Sequence, residues 1–117
     1  MRLRTAAVTA AAASLTLLLA VPGPAAAASG DFAYRFRGPD GQPQPAILHD
    51  PPSGECLTLP EVADPASSPP AFAPWNNTDE WATVFQGPQC TGDTWDLRPH
   101  GRPATDRLEL RSVVFWR

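Results

Sequence analysis

The sequence predicts a small all-β sandwich of the Greek-key type, and three observations predict it. No segment after about residue 28 has helical periodicity. The remaining chain instead contains six or so short apolar or alternating runs, separated by turns rich in proline and glycine, which is typical of a two-sheet β-domain. Two of these stretches also resemble each other as hairpins, which suggests a duplicated unit.

The first 28 residues are expected to be a secretory signal peptide rather than part of the fold. Arg2 and Arg4 precede an apolar run over residues 6–21, and Ala26-Ala27-Ala28 offers a small-x-small cleavage pattern. The run is too short and too rich in alanine for a comfortable transmembrane helix, although a retained N-terminal anchor is the alternative. We therefore expect an extracellular protein whose mature chain starts after Ala28.

The rest of the chain is predicted to form one small domain. Residues 29–45 are expected to provide an N-terminal strand and a linker, and residues 46–117 the sandwich. From Ser29 onward the chain has seven arginines, no lysine and twelve acidic residues, a net charge of −5. Nucleic acids and anionic membranes both require clustered positive charge, so neither is an expected partner. We expect a monomer.

Cys56 and Cys90 are the only cysteines. In an exported chain a disulfide is the expected state. Closing a loop of this length contributes about 3–4 kcal/mol in the chain-entropy model, a large share of the stability of so small a domain. The alternative is a free catalytic or metal-binding thiol, which the absence of a Cys-x-x-Cys pattern disfavours.

The stretch over residues 84–97 predicts a β-hairpin with a long, folded-over turn. Phe85 ends an apolar run, Gly87-Pro88 and Thr91-Gly92 are turn signals, and Trp95 and Leu97 then lie on one face.

A similar stretch lies 38 positions earlier. It predicts a first hairpin with strands at residues 46–49 and 55–59, and the disulfide would then link the two copies. The alternative is two ordinary hairpins whose spacings coincide. The aligned positions are Ile47 with Phe85, Gly54 with Gly92, Glu55 with Asp93, Leu57 with Trp95 and Leu59 with Leu97.

Two further strands are expected at the ends of the domain. Residues 31–37 alternate, with Phe32, Tyr34 and Phe36 on one face. Residues 107–116 predict a C-terminal strand. Its first face would carry Leu108, Leu110, Ser112, Val114 and Trp116, and Arg107, Glu109 and Arg111 would share the other face with Val113 and Phe115.

Two loops are candidates for binding. Residues 60–74 cannot form a central strand because of their prolines, so they are either a plain crossover or a binding loop. Residues 75–79 predict a turn. Residues 98–106 predict a second loop. The candidate binding residues are Pro60, Pro65, Pro69, Pro70 and Pro74 in the first loop and Arg98, His100 and Arg102 in the second.

The pattern Phe85-x-x-x-x-Cys90-x-Gly92, followed by Ser112 in a valine-rich strand, resembles the signature of βγ-crystallin Greek-key motifs. The resemblance implies a two-Greek-key sandwich in which Gly92 adopts a positive φ and the Ser112 hydroxyl ties the last strand back to the hairpin. With the signal peptide and the arginine-only composition, the chain looks like secreted actinobacterial members of this superfamily. Those members include a metalloproteinase inhibitor and a killer-toxin-like protein.

The match departs from the family pattern in ways that exclude its calcium site. Cys90 replaces the second aromatic residue, and Pro74 replaces the late serine in the first copy. Calcium-binding members carry oxygen ligands just before that serine, whereas residues 107–112 and 69–74 here lack the pattern. No metal and no cofactor are expected.

Other groups that could carry chemistry have simpler interpretations. His49-Asp50 with Ser53 could be a hydrolase fragment, but triad members come from separate parts of a fold, which favours a surface turn. A metal held by His49 and His100 would need two further ligands.

The remaining candidates are a carboxylate cluster and the tryptophans. Asp93, Asp96 and Asp106 could form such a cluster, although solvated strand ends are the simpler interpretation. Of the four tryptophans, most are expected in the core, with one or two exposed for recognition. They are Trp75, Trp81, Trp95 and Trp116.

These observations predict a secreted, non-catalytic β-domain that binds an extracellular protein. Peptidase inhibition is the first specific function that the resemblance implies. The alternatives are an antimicrobial, killer-toxin-like protein and a passive structural or stress protein; a small hydrolase ranks last.

Overall fold

A computed structural model describes residues 26–117, so most of the predicted leader lies outside the described residues. The fold has eight strands in two four-stranded antiparallel sheets, ordered β2-β1-β4-β7 and β3-β8-β5-β6. This confirms the predicted small, two-Greek-key, all-β sandwich. The strands are β1 (Gly30–Arg37), β2 (Pro43–His49), β3 (Leu57–Thr58), β4 (Ala71–Thr78), β5 (Trp81–Phe85), β6 (Thr94–Leu97), β7 (Glu109–Leu110) and β8 (Ser112–Trp116), with a 3-10 helix at Pro60–Val62.

The two halves of the chain have the same topology. Each half opens with a hairpin, β1–β2 or β5–β6, and closes with a strand that pairs with the first strand of that hairpin, β4 with β1 and β8 with β5. The third strand of each half, β3 or β7, joins the sheet of the other half. The halves therefore interlock, and each needs the other to cover its apolar face.

The predicted first hairpin is wrong. β2 pairs with β1 over Asp31↔His49 to Arg37↔Pro43, whereas β3 lies in the other sheet against β8. The tight turn at residues 38–41 closes the β1–β2 hairpin, and the chain then crosses between sheets through Pro51 and Pro52. Gly54 and Gly92 consequently occupy unrelated places in the topology. Because β1 pairs on both sides, the sandwich also begins well before residue 46.

The sequence does contain a repeat that matches the two hairpins, at a different spacing from the predicted one. Phe-x-Gly-Pro occurs at residues 36–39 and again at 85–88, once at the end of β1 and once at the end of β5. The backbone N–H of Gly38 donates to Gln42 O at 2.9 Å, and that of Gly87 donates to Thr91 O at 2.8 Å. The two hairpin turns thus start with the same hydrogen bond.

The predictions of a loop over residues 60–74 and a turn over residues 75–79 are wrong where they meet β4 (Ala71–Thr78), because β4 is a central strand that contains buried Pro74. The β1–β4 register shifts between Ala33 and Arg35, opposite this part of β4. Ala73 lies there at φ +54. At a bulge, a residue does not have to donate its backbone N–H to the neighbouring strand. A sheet can therefore accommodate proline at this position.

The predicted C-terminal strand is divided in two. The chain crosses from one sheet to the other at Arg111, between β7 and β8, so the alternation changes phase there. Val113 and Phe115 face the core, while Trp116 lies outside and stacks on Trp81 with ring centroids 5.6 Å apart.

The core lies between β1 and β8. Phe32 and Phe115 meet edge to face, with ring centroids 5.3 Å apart. Tyr34 is buried beside them and donates its hydroxyl to Glu61 Oε1 at 2.6 Å. Burial, reinforced by this hydrogen bond and by the charge of Glu61, raises the pKa of Tyr34 well above its usual range.

The predicted disulfide is confirmed. Cys56 and Cys90 are bonded, with their Cα atoms 6.0 Å apart, and they join the β2–β3 crossover of the first half to the β5–β6 turn of the second. The covalent link therefore spans the two interlocked units.

The last residues of the predicted leader, Ala26–Ala28, contact the folded domain. Ala28 is fully buried in the core and donates its backbone N–H to Pro51 O at 2.9 Å. Ser53 N–H donates to Ala26 O at 3.0 Å, next to an antiparallel bridge between Ala27 and Pro52. In the part of the chain from residue 26 onward, no helix has the length and apolar character needed to cross a membrane.

Candidate functional site

The sandwich is open on the side where β6 and β7 form the sheet edges. Register pairs Trp95 with Val84 and Leu97 with Ala82, so both β6 side chains lie on the inner face of their sheet. Trp95 nevertheless remains 61% exposed. The reason is that the facing edge strand, β7, has only two residues and does not cover the indole.

The segment between β6 and β7 borders this opening instead of filling it. His100 N–H donates to Thr78 O at 3.0 Å, and Ala104 N–H donates to Pro74 O at 2.9 Å. Ala73 N–H donates to Leu108 O at 3.1 Å. Residues 98–108 therefore run along β4 and extend the first sheet. We call the surface between β6 and this segment the open flank; its apolar residues are Trp95, Leu97, Ala104 and Leu108.

Three adjoining depressions share Trp95. The most apolar, of about 450 Å³, also contains the other flank residues together with Arg102 and Arg107. A second, of about 390 Å³, extends toward Asp93 and Glu109, and a third, of about 530 Å³, extends toward Arg98 and Asp96. The centre of the open flank thus combines an exposed indole with two arginines, while acidic side chains lie in the outer depressions.

Asn76 holds the two borders of the open flank together. Its buried amide nitrogen lies within hydrogen-bond distance of the carbonyl oxygens of Glu80 (2.7 Å), Leu97 (3.1 Å) and Arg98 (3.1 Å). Its Oδ1 accepts from the hydroxyl of Thr78 at 2.7 Å. The sequence analysis did not identify Asn76, because it assigned residues 75–79 to a turn. The alternation of Pro74, Asn76 and Thr78 along β4 was the available clue.

The predicted loop residues Arg98, His100 and Arg102 border the open flank. The backbone of His100 has φ +48, and its Nδ1 lies 3.1 Å from Asn77 Oδ1, so the ring is directed toward β4. Trp75 donates its indole N–H to Gly101 O at 2.9 Å. These contacts make the segment a fixed border of the surface.

The other predicted loop is anchored by a buried arginine. Arg111 donates from Nη1 to Val62 O at 3.0 Å and from Nη2 to Ser68 O at 2.9 Å. Within the loop, the backbone amides of Ser67 and Ser68 bond to Asp64 O, which folds it into a compact turn. Its prolines are divided by location: Pro60 starts the 3-10 helix, Pro65 and Pro69 are exposed, Pro70 is half-buried and Pro74 is buried within β4.

The motif residues of the second half lie together, and those of the first do not. Phe85 pairs with Ser112, whose hydroxyl bonds to the β5–β6 turn, and Gly92 has φ +83 in that turn. Gly54 also has a positive φ, of +75, but in the crossover between sheets. Ile47 is 61% exposed on the outer face of edge strand β2.

The suggested hydrolase fragment is not assembled. Ser53 donates its hydroxyl to the fully buried carboxylate of Glu80. Arg117 Nε lies 3.1 Å from the second oxygen of Glu80, near enough for an ion pair although not aligned for a hydrogen bond.

His49 faces two carboxylates. Its Nδ1 lies 2.6 Å from Asp31 Oδ1, and its Nε2 lies 3.3 Å from Asp50 Oδ2. The hydrogen bond to Asp31, followed by the charges of Asp50 and Asp31, raises the pKa of this exposed histidine.

Asp93 and Asp96, two of the three aspartates considered for a carboxylate cluster, have separate surroundings. Asp96 Oδ1 accepts from the Thr83 hydroxyl at 2.7 Å on the outer face of the sheet, and Asp93 lies in the depression beside Glu109. Among residues 26–117, no three histidine, cysteine or acidic side chains are grouped as metal ligands.

Comparisons with known proteins return no match: no protein-family model, no curated protein and no solved structure resembles this chain closely enough to be significant.

Proposed function

We propose that this chain is a secreted, non-catalytic β-sandwich that binds another protein through the open flank. The observation that carries the proposal is Trp95, an inward-facing indole that its own fold leaves 61% exposed. Covering apolar surface contributes about 25 cal/mol per Å² to binding. Tryptophan and arginine are also the residues most enriched at energetic hot spots of protein interfaces.

The construction of the open flank supports this role. Asn76 ties its two borders together, and residues 98–108 are hydrogen-bonded along β4. A surface that is already ordered loses less conformational entropy when it binds. The flank therefore has the rigidity that tight association favours.

Secretion and the βγ-crystallin-like relationship are parts of the same proposal. A disulfide in a small β-domain is compatible with an extracellular location. The hydrogen bond from Ser112 to the β5–β6 turn and the positive φ of Gly92 agree with what the crystallin resemblance implies. Through that resemblance, secreted peptidases become the first partner class to test.

The test is an inhibition and binding panel of secreted metallo- and serine peptidases, with the disulfide-bonded chain at micromolar concentration. Trp95→Ala is the test variant, and Ile47→Ala is its matched control. Both side chains are 61% exposed and lie on edge strands, but on opposite sides of the sandwich. We expect one or more peptidases to bind, with the affinity falling by about tenfold or more for Trp95→Ala, as for an interface hot spot, and unchanged for Ile47→Ala.

The panel distinguishes two failures. If no peptidase is bound or inhibited, peptidases are the wrong partner class. If a peptidase binds equally well to both variants, the open flank is the wrong surface.

A further inference from the structure

We infer that the ligand of the open flank is an extended peptide segment that carries an acidic side chain and adds a strand to β6. This inference rests on the proposed protein-binding role and specifies the chemistry of the partner. Within the described part of the chain, β6 is the terminal strand of its sheet and pairs only with β5. An exposed edge strand is a template for a strand from another chain.

The register shows which backbone groups are available. Gln86 N–H donates to Asp93 O at 2.9 Å, which makes these two residues a hydrogen-bonded pair. Hydrogen-bonded and non-bonded pairs alternate along an antiparallel ladder. The backbone groups of Trp95 and Leu97 therefore point toward β5, whereas those of Thr94 and Asp96 point away from the sheet, where an incoming strand can bond to them.

The side-chain pattern of the ligand follows from the same register. Ligand residues opposite Trp95 and Leu97 would lie on the inner face, in the depression bordered by Ala104 and Leu108. These positions favour apolar side chains at alternate residues.

The charge of the ligand follows from Arg102 and Arg107. Both line the apolar depression, and no acidic residue lines it with them. A ligand carboxylate there would be paired with guanidinium groups, which bind carboxylates with favourable geometry. The molecule as a whole is acidic, with five more negative than positive residues from Ser29 onward, so an acidic ligand residue is favoured only where these two arginines lie.

A decapeptide library of random sequence, selected on the disulfide-bonded chain, tests the inference. We expect the selected peptides to alternate apolar residues and to favour Asp or Glu at one position. Replacing both arginines, in the variant Arg102→Gln/Arg107→Gln, should remove the acidic preference, which for ion pairs of exposed arginines is worth up to about fivefold in affinity. The apolar alternation should remain.

Strand addition has a separate test in Thr94→Pro. The Thr94 N–H points away from β5, so proline is compatible with the folded edge strand but removes the outer hydrogen-bond donor. We expect it to abolish peptide binding, while the control Thr94→Ala, which keeps the N–H, binds normally. Hydrogen exchange of the unaltered chain gives the same information without a variant, because a bound strand should slow exchange at Thr94 and Asp96.

Each outcome either supports or overturns the inference, and the inference can fail while the proposed protein-binding function stands. Peptides without an acidic preference, or without protection of Thr94 and Asp96, overturn it. If no peptide is selected while a folded partner still binds in a Trp95-dependent way, the inference fails and the protein-binding role stands.

Discussion

The hydroxyl of Ser112 accepts a hydrogen bond from the backbone N–H of Cys90 at 2.8 Å and donates one to the carbonyl of Gly87 at 2.6 Å. A single buried side chain thereby fixes both ends of the folded-over turn of the second hairpin to strand β8. The same turn carries one sulfur of the disulfide. In the first half, the β1–β4 register ends at Arg35↔Phe72, and the next residue, which would face Phe36, is Ala71, so that position has no hydroxyl to make this bond.

Replacing Ser112 should destabilise the protein. In Ser112→Ala the Cys90 N–H and the Gly87 carbonyl lose their partner, and a buried polar group left unpaired costs about 1–3 kcal/mol. Urea unfolding of the oxidised protein measures the free energy. Ser67→Ala is the control, since Ser67 is exposed and surface changes stay within about 0.5 kcal/mol. Equal stability of the two variants would mean that the turn does not depend on the hydroxyl.

Asn76 should matter for stability and for the order of the open flank. Removing its amide in Asn76→Ala takes away a hydrogen-bond donor that the carbonyls of Leu97 and Arg98 share, and leaves the Arg98 carbonyl unpaired, at about 1–3 kcal/mol. Hydrogen exchange should also accelerate over residues 98–108. The control Gln44→Ala removes another exposed amide, on edge strand β2, and should change the free energy of unfolding much less. Unchanged exchange in Asn76→Ala would contradict the anchoring role.

Arg111 should control the order of the loop at residues 60–69. Arg111→Lys keeps the charge, but one ammonium group cannot reproduce the two guanidinium bonds to Val62 O and Ser68 O. We expect faster proteolytic cleavage within residues 63–69, measured by mass spectrometry. Arg35→Lys, at an exposed arginine, serves as the control and should be cleaved at the rate of the unaltered chain. Equal rates for both variants would show that Arg111 does not anchor the loop.

His49 should titrate at a higher pH than an ordinary histidine. Asp31 and Asp50 favour its protonated form, so NMR chemical shifts of the ring should give a pKa above the usual value of about 6.5. Because the folded state raises this pKa, the stabilisation is complete below the ordinary pKa and is lost as the pH rises through the folded value. Asp31→Asn should lower the midpoint. A midpoint that does not respond to this change would rule out the hydrogen bond as its cause.

The folded domain should include Ala26–Ala28. A chain starting at Ser29 loses the buried Ala28 and its bond to Pro51, and should be less stable by about 1–2 kcal/mol than one starting at Ala26. Part of that loss is offset if the new α-ammonium pairs with Asp79, whose Oδ1 lies 2.8 Å from Ser29 N. If a leader is removed during export, N-terminal sequencing should find Ala26 or an earlier residue. A mature protein starting at Ser29 would contradict this expectation.

The sequence patterns predicted the parts of the fold that depend on local chemistry. The hairpin over residues 84–97 has a short-range turn signal, the disulfide follows from the presence of two cysteines in a chain expected to be exported, and both are present. The strand that pairs with β2 could not be identified by aligning Ile47 with Phe85 and Gly54 with Gly92. The repeated Phe-x-Gly-Pro was the better guide, because it marks the same turn in both halves.

The remaining features depend on contacts between distant parts of the chain. Pro74 argued against a central strand, and only the bulge opposite β1 makes one possible. The burial of Asn76 and Arg111 follows from carbonyl partners in other elements. Trp95 alternates like a core residue, and its exposure results from the two-residue length of β7, which alternation within β6 does not reveal.

The most direct test of the open flank as the binding surface is NMR chemical-shift mapping of the disulfide-bonded chain with the tightest ligand from either screen. We predict the largest shifts at the Trp95 indole, at the amides of Thr94 and Asp96, and over residues 102–108. Largest shifts instead around Ile47 or within residues 60–69, with Trp95 unmoved, would contradict the account.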